Sequence, residues 1–284
     1  MIADSELILN ADGSIYHLNL LPEDLAHTII FVGDPDRVAE VSQYFDRIDI
    51  KKGKREFITH TGWLRERRIS VISTGIGTDN IDIVFNEVDA LVNIDFTTRT
   101  LKDKLISLDI VRIGTSGSIQ GDIKMGTILA SEYGIGFDTL MQYYVKNYSS
   151  DEVIIQEAIR KHFDTLTFSP YIGRASAKLL NKIAADLPKG MTMTAPGFYG
   201  PQGRSVRSVN MYPDLIQRAS MFSIGTRQIT NLEMETAGIY ALANMFGHHA
   251  LSINAILASR LHDAFAENPK EIVDHAIRYV LERL

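Results

Sequence analysis

The chain contains no cysteine, which excludes disulfide frameworks, thiolate metal sites, iron–sulfur clusters and a cysteine nucleophile together. It also lacks a strong charge of either sign, since 29 Lys and Arg against 35 Asp and Glu leave a net charge of −6. A general nucleic-acid binder usually carries a basic face, so no nucleic-acid partner is expected. A small anion remains open as a ligand, because a few convergent arginines make a positive pocket even on an acidic protein. No apolar run approaches the roughly 18 residues of a membrane span, and no membrane partner is expected. The first residues, MIADSELILNADGSIYHLNL, place Asp4, Glu6 and Asp12 where a secretory signal would carry a basic start and an apolar stretch. The expectation is a cytoplasmic protein.

What is present is the composition of a core-forming domain. Hydrophobic residues make up 45%, with 20 glycines and 8 prolines, too few for a collagenous or low-complexity chain. No repeat, long linker or charge block marks a boundary, so residues 1–284 are read as one domain. Short apolar, β-branched runs at 27–33, 69–75, 107–114, 126–132, 191–195 and 250–259 read as strands covered on both faces. Between them, Ile81, Val84, Phe85, Val88, Leu91 and Val92 form one helical stripe over 81–93. Val273, Ile277, Val280, Leu281 and Leu284 form another over 271–284. Further helices are expected over 35–45, 138–147, 152–163, 174–186 and 233–246. The alternation predicts an α/β protein.

Four segments carry candidate chemistry. In VGDPDRV (32–38) a strand ends at Gly33, Asp34 can cap a helix and Pro35 can open it. This is either a plain strand-to-helix turn with Arg37 solvated, or an anion site in which helix N–H groups and Arg37 converge. In VRIGTSGSIQ (111–120) Arg112 interrupts an apolar strand just before a glycine-rich turn containing Thr115. A buried arginine requires a partner, so Arg112 is either one half of an internal ion pair or a phosphate ligand.

STGIGTDN (73–80) nearly matches a dinucleotide fingerprint, but Asn80 occupies the place of the third glycine, and no P-loop ending occurs. In NLEMETAGIYALA (231–243) Glu233, Met234 and Glu235 open the expected helix. They serve either its dipole or the hydroxyls and face of a sugar. The long irregular stretch 196–212, PGFYGPQGRSVRSVNMY, favours a functional loop. The eight histidines include no i, i+4 pair, and no catalytic metal is expected.

GDPDR, REF at 55–57, STGIG, RIGTSGSIQ and EMETAGIY stand in an order and spacing that resembles the nucleoside phosphorylase-I family, from about His17 to the C-terminus. The resemblance implies a three-layer α/β/α nucleoside phosphorylase-like fold with a mixed central sheet. Within the family, FYGPQGR (198–204) is similar to the uracil-recognition loop. LASR (257–260) offers Arg260 where the purine enzymes carry an acid.

The resemblance therefore implies reversible phosphorolysis of uridine, with deoxyuridine or thymidine left open, and inorganic phosphate as a substrate. It assigns phosphate to Gly33, Arg37, Arg112 and Thr115, with Arg55 from a neighbouring subunit. Ribose falls to Glu233, Met234 and Glu235, with His17 reaching across an interface. The base falls to Phe198, Gln202, Arg204 and Arg260. Arg112, Arg204, Gln202 and Glu235 are the expected catalytic groups.

No cofactor is implied beyond a monovalent cation between subunits. Glu56 and Ile76 match that site, while Asn80 replaces a serine. A homodimer is the minimum that completes the sites and a hexamer stays open, because 93–109 is longer than in compact bacterial members. The alternatives are a purine nucleoside phosphorylase, a nucleoside hydrolase of the same fold, and a non-enzymatic nucleoside-binding protein.

Overall fold

All six apolar segments form strands in the computed structural model, which describes residues 1–284. In chain order, β1 (Thr28–Val32) leads into α1 (Pro35–Ser42). A meander of β2 (Arg47–Lys54), β3 (Phe57–Leu64) and β4 (Arg67–Ser73) then leads into α2 (Thr78–Asn93). A small hairpin pairs β5 (Ile94–Asp95) with β6 (Thr100–Leu101), followed by β7 (Asp109–Ser118) and β8 (Ile128–Gly136). Next come α3 (Ser150–His162), β9 (Tyr171–Arg174), α4 (Ala177–Ile183) and β10 (Lys189–Thr194). The chain closes with α5 (Leu215–Met221), β11 (Ser223–Ile224), β12 (Arg227–Glu233), α6 (Thr236–Phe246), β13 (His249–Ser259), β14 (Ala264–Phe265) and α7 (Pro269–Arg283).

The sheet is mixed, as expected, and it closes on itself. Along β11-β12-β10-β8-β13-β7-β1-β4-β3-β2, β12 also pairs back onto β7 through Asn231–Ser118 and Leu232–Gly117. Strands β7, β12, β10, β8 and β13 therefore form a ring, and β1 to β4 extend from it as an open wing. Strands β4, β1, β7 and β13 are mutually parallel, so their carboxyl ends gather at one edge, where α/β proteins place their ligands. Helices pack on the sheet in the layered α/β/α arrangement.

Three helix expectations change. Residues 138–147 make only a 3-10 turn at Leu140–Gln142. The Asp138 carboxylate takes the Leu140 N–H and the Tyr171 hydroxyl, and Tyr144 is tied to Asp82, so local side-chain bonds replace a helical ladder. Residues 174–186 split, because Arg174 still pairs with Tyr133 in β9 and the helix covers only Ala177–Ile183. Glu233 does not open a helix: it ends β12, paired with Thr194, and α6 begins at Thr236 after Glu235. The β2–β3 meander was not foreseen. Its outer strand RIDIKKGK is a charged edge with no buried run to reveal it.

Candidate active site

A cleft of about 790 Å³ opens at the carboxyl ends of the parallel strands. Its lining includes Gly33, Arg37, Arg112, Thr115, Phe198, Gln202, Arg204, Glu233, Met234 and Glu235. Residues separated by two hundred positions thus face one space.

At one end, Asp34 caps α1 by accepting from the Asp36 N–H at 3.0 Å, and Pro35 takes the first helical position. Arg37 follows, with its Nε buried and without a hydrogen-bond partner; Glu40 lies 4.0 Å away. Burial, and then the charge of Arg112, push the Arg37 pKa below its ordinary value. An unpartnered donor beside a second guanidinium is an environment that an anion relieves.

Arg112 is 5% exposed and lies along its own strand over Gly114, where an added Cβ would meet Nη1 at 1.8 Å. The glycine is what allows the guanidinium to fold forward to the cleft. There it donates to Glu235 Oε2 at 2.5 Å and reaches Glu233 Oε2 at 3.1 Å. Its Nη1 meets Asn254 Oδ1 at 3.3 Å. Burial opposes its charge, but the two carboxylates outweigh burial and raise its pKa. The internal ion pair and the cleft position are both present, so the two readings of Arg112 are not exclusive.

The two glutamates have different environments. Glu233 accepts from the Thr194 hydroxyl at 2.7 Å and from the Glu235 and Thr236 N–H groups at 3.0 Å, capping the start of α6. Glu235 accepts from the Gly77 N–H at 2.8 Å, tying the β4–α2 turn to α6. Burial raises the Glu235 pKa, with Arg112 opposing and Glu233 reinforcing the shift. Half-buried Met234 lies between them on the cleft wall.

At the other end, residues 198–204 fold around a 3-10 turn at Gly200–Gln202, ended by left-handed Gly203. Gln202 is 3% exposed. Its Oε1 accepts from Arg204 Nη1 at 2.6 Å, and its backbone carbonyl accepts from Arg260 Nη1 at 2.9 Å. Arg204 also donates to the Phe198 carbonyl at 2.7 Å and stacks 3.8 Å above the Phe198 ring. Since a guanidinium only donates, these bonds fix which way the Gln202 amide faces.

Three residues named from the sequence do not line the cleft. Arg260 stands behind it as the support of Gln202. Arg55 is exposed at the β2–β3 turn in a left-handed conformation. His17 is held by Glu87, whose carboxylate accepts from its Nδ1 at 2.7 Å and its backbone N–H at 2.9 Å. Glu56, Ile76 and Asn80 do reach the cleft, but Asn80 Nδ2 donates to the Ile76 carbonyl at 3.2 Å.

Sequence reasoning missed Ser116, Gly77, Thr194 and Asn254. Ser116 and Gly77 stand inside the RIGTSGSIQ and STGIG motifs without individual roles, and no local pattern distinguishes Thr194 and Asn254.

A layered α/β fold thus unites two arginines, two carboxylates and an amide–guanidinium pair in one cleft at its strand ends. A family model described as the phosphorylase superfamily matches residues 27–282, and the chain belongs to that family. It is 27% identical to a uridine phosphorylase of Thermococcus kodakarensis over 256 residues, covering 90% of this chain and 81% of that one. It is 24% identical to a DeoD-type purine nucleoside phosphorylase of Listeria monocytogenes, covering 84% of each. Among solved structures, a Trypanosoma brucei nucleoside phosphorylase reported to show uridine phosphorylase activity superposes with a TM-score of 0.88 at 28% identity, over 98% of this chain and 99% of that one.

Proposed function

We propose that the protein is a pentosyltransferase that cleaves uridine with inorganic phosphate, reversibly, to uracil and ribose 1-phosphate. The observation that carries the choice of base is the buried Gln202 amide with Arg204 beside it. Uracil presents a carbonyl, an N–H and a second carbonyl along one edge. An amide donates to one group and accepts from another, while a guanidinium donates to carbonyl oxygen.

Phosphate is assigned to the Gly33 turn, Arg37, Arg112 and Thr115, and ribose to Met234 and Glu235. Glu233 supports this site by capping α6 and pairing with Arg112. Phosphate is the nucleophile, so no enzyme nucleophile is needed. Cleavage passes through an oxocarbenium-like sugar, as glycosyl transfer generally does. The phosphate charge stabilises that sugar, and the donors at the base end stabilise the negative charge growing on uracil; both effects are preorganised.

His17 and Arg55 are assigned to the cleft of an adjacent protomer, which makes a homodimer the minimum active unit. The reaction is assigned no resident cofactor, and a monovalent cation held near Glu56, Ile76 and Asn80 would show as a dependence of the rate on potassium or sodium.

The test is release of free base from uridine, deoxyuridine, thymidine, cytidine and inosine, with and without phosphate. Uridine turnover that requires phosphate supports the proposal. Preferred inosine turnover would make it a purine phosphorylase, and phosphate-independent release a hydrolase.

A further inference from the structure

Ser116 lines the cleft. Its hydroxyl ends a file of buried polar side chains that crosses the interior of the strand ring. Arg112 Nη1 meets Asn254 Oδ1 at 3.3 Å, and Asn254 Nδ2 meets Ser131 Oγ at 2.9 Å. Ser131 and Thr192 hydroxyls lie 2.6 Å apart, Thr192 Oγ1 is 2.8 Å from Asn231 Oδ1, and Asn231 Nδ2 is 2.9 Å from Ser116 Oγ. Each of these side chains is buried.

The direction of the file is fixed at its start. A guanidinium only donates, so Asn254 presents its oxygen to Arg112 and donates through its nitrogen to Ser131. Ser131 then has its own proton to give to Thr192, and Thr192 gives its proton to Asn231. The Asn231 oxygen also takes the Thr230 hydroxyl at 2.9 Å, which fills its accepting side. Its nitrogen is left to donate to Ser116. Ser116 therefore accepts from inside the ring, and its own proton has no partner in the chain.

We propose that the Ser116 hydroxyl donates to a carbonyl oxygen of the bound pyrimidine, and that Asn231 is the positioning residue that aims it. This deepens the uridine reading above and rests on it. The base end is favoured because the next residue, Gly117, packs against the Arg260 stem. An added Cβ at Gly117 would lie 3.4 Å from Arg260 Cγ, and Arg260 holds the Gln202 carbonyl. A carbonyl of the leaving base gains negative charge as the C–N bond breaks, so the bond strengthens in the transition state and acts on kcat more than on KM.

The experiment compares Ser116→Val with Ser116→Thr, two side chains of one shape that differ in the hydroxyl. Ser116→Val should lower kcat for uridine roughly 10- to 150-fold, the worth of a hydrogen bond to a charged group, with inorganic phosphate affinity by calorimetry unchanged. Ser116→Thr should restore most of the rate. 5-Fluorouridine, whose base bears negative charge more readily, should lose less than uridine in the Val variant. Asn231→Ala should slow uridine cleavage in the native background but add nothing on top of Ser116→Val.

Full turnover by a folded Ser116→Val enzyme, or a loss confined to phosphate affinity, overturns the proposal. So does failure of Thr to restore the rate. Absence of phosphate-dependent uracil release in the unmodified enzyme would instead overturn the uridine reading itself.

Discussion

An alanine at position 114 would place its Cβ 1.8 Å from the Arg112 guanidinium, so the Arg-Ile-Gly spacing is a device for laying an arginine along its own strand. Arg112 also neutralises two buried carboxylates, and its removal should cost stability as well as phosphate. Breaking such a buried pair costs about 3–5 kcal/mol. Arg37 is the cleaner probe, since its buried Nε has no partner to lose. Arg37→Ala should leave the melting temperature nearly unchanged while weakening phosphate binding by about 1.5–3 kcal/mol, or roughly 10- to 150-fold. Isothermal titration with inorganic phosphate reads this directly, and unchanged affinity would return Arg37 to the role of a solvated turn residue.

At the base end, cytosine would set an amino donor against Arg204. A site built to bond a polar edge rejects such a mismatch by roughly 10⁴-fold. Uridine should be turned over and cytidine ignored, and Arg204→Ala should damage uridine turnover with phosphate binding intact. Arg112 was conspicuous in the sequence because an arginine in an apolar strand needs a partner, whereas Gln202 and Arg204 were read from the resemblance of their loop. Ser116 and Asn231 were not conspicuous, since a serine or asparagine in a strand has no visible partner until the ring closes.

At the scale of elements, α6 sits almost on the sheet backbone. A Cβ on Gly134 would lie 2.7 Å from the Ala237 backbone, and one on Gly173 would lie 2.8 Å from Tyr240 Cβ. This close approach brings the start of α6 and its preceding Glu235 to the cleft. Gly134→Ala should therefore destabilise the fold by roughly 1–3 kcal/mol, as overpacking does, and lower activity with it. A urea midpoint equal to that of the unmodified protein would contradict so tight a contact.

The buried strands and the amphipathic helices α2 and α7 were legible because one-sided or continuous apolar patterns survive in the sequence. The failures have local causes. Edge strand β2 alternates charge with half-burial. Residues 138–147 are pinned by Asp138 and Tyr144 rather than by helical bonds. The acids of Glu-Met-Glu belong to a strand end and a helix cap rather than to a first helical turn.

On the scale of the whole molecule, closure of β12 onto β7 brings Glu233 to Arg112, while Asn254 reaches Arg112 from the neighbouring strand β13, and no stretch of sequence announces the closure. The long segment after α2 does not hang free. Arg99 donates to the carbonyls of Ile2, Ala3 and Leu7, so the β5–β6 hairpin clasps the beginning of the chain. His17 and Arg55 lie away from their own cleft, and the proposed function assigns them to that of an adjacent protomer. Mixing inactive Arg55→Ala subunits with inactive Glu235→Ala subunits, under conditions where exchange is verified, should restore activity, because one hybrid site carries both native residues. Exchanged dimers that stay inactive would mean that each site is built within one chain.

The central claim is that phosphate, not water, attacks the sugar of a pyrimidine nucleoside. Phosphorus NMR of the enzyme with uridine and inorganic phosphate, with uracil and free ribose followed by proton NMR of the same sample, is the test. A ribose 1-phosphate signal should grow in step with free uracil, one for one, with no uracil when phosphate is withheld. Uracil accompanied by free ribose, or appearing equally without phosphate, would contradict it.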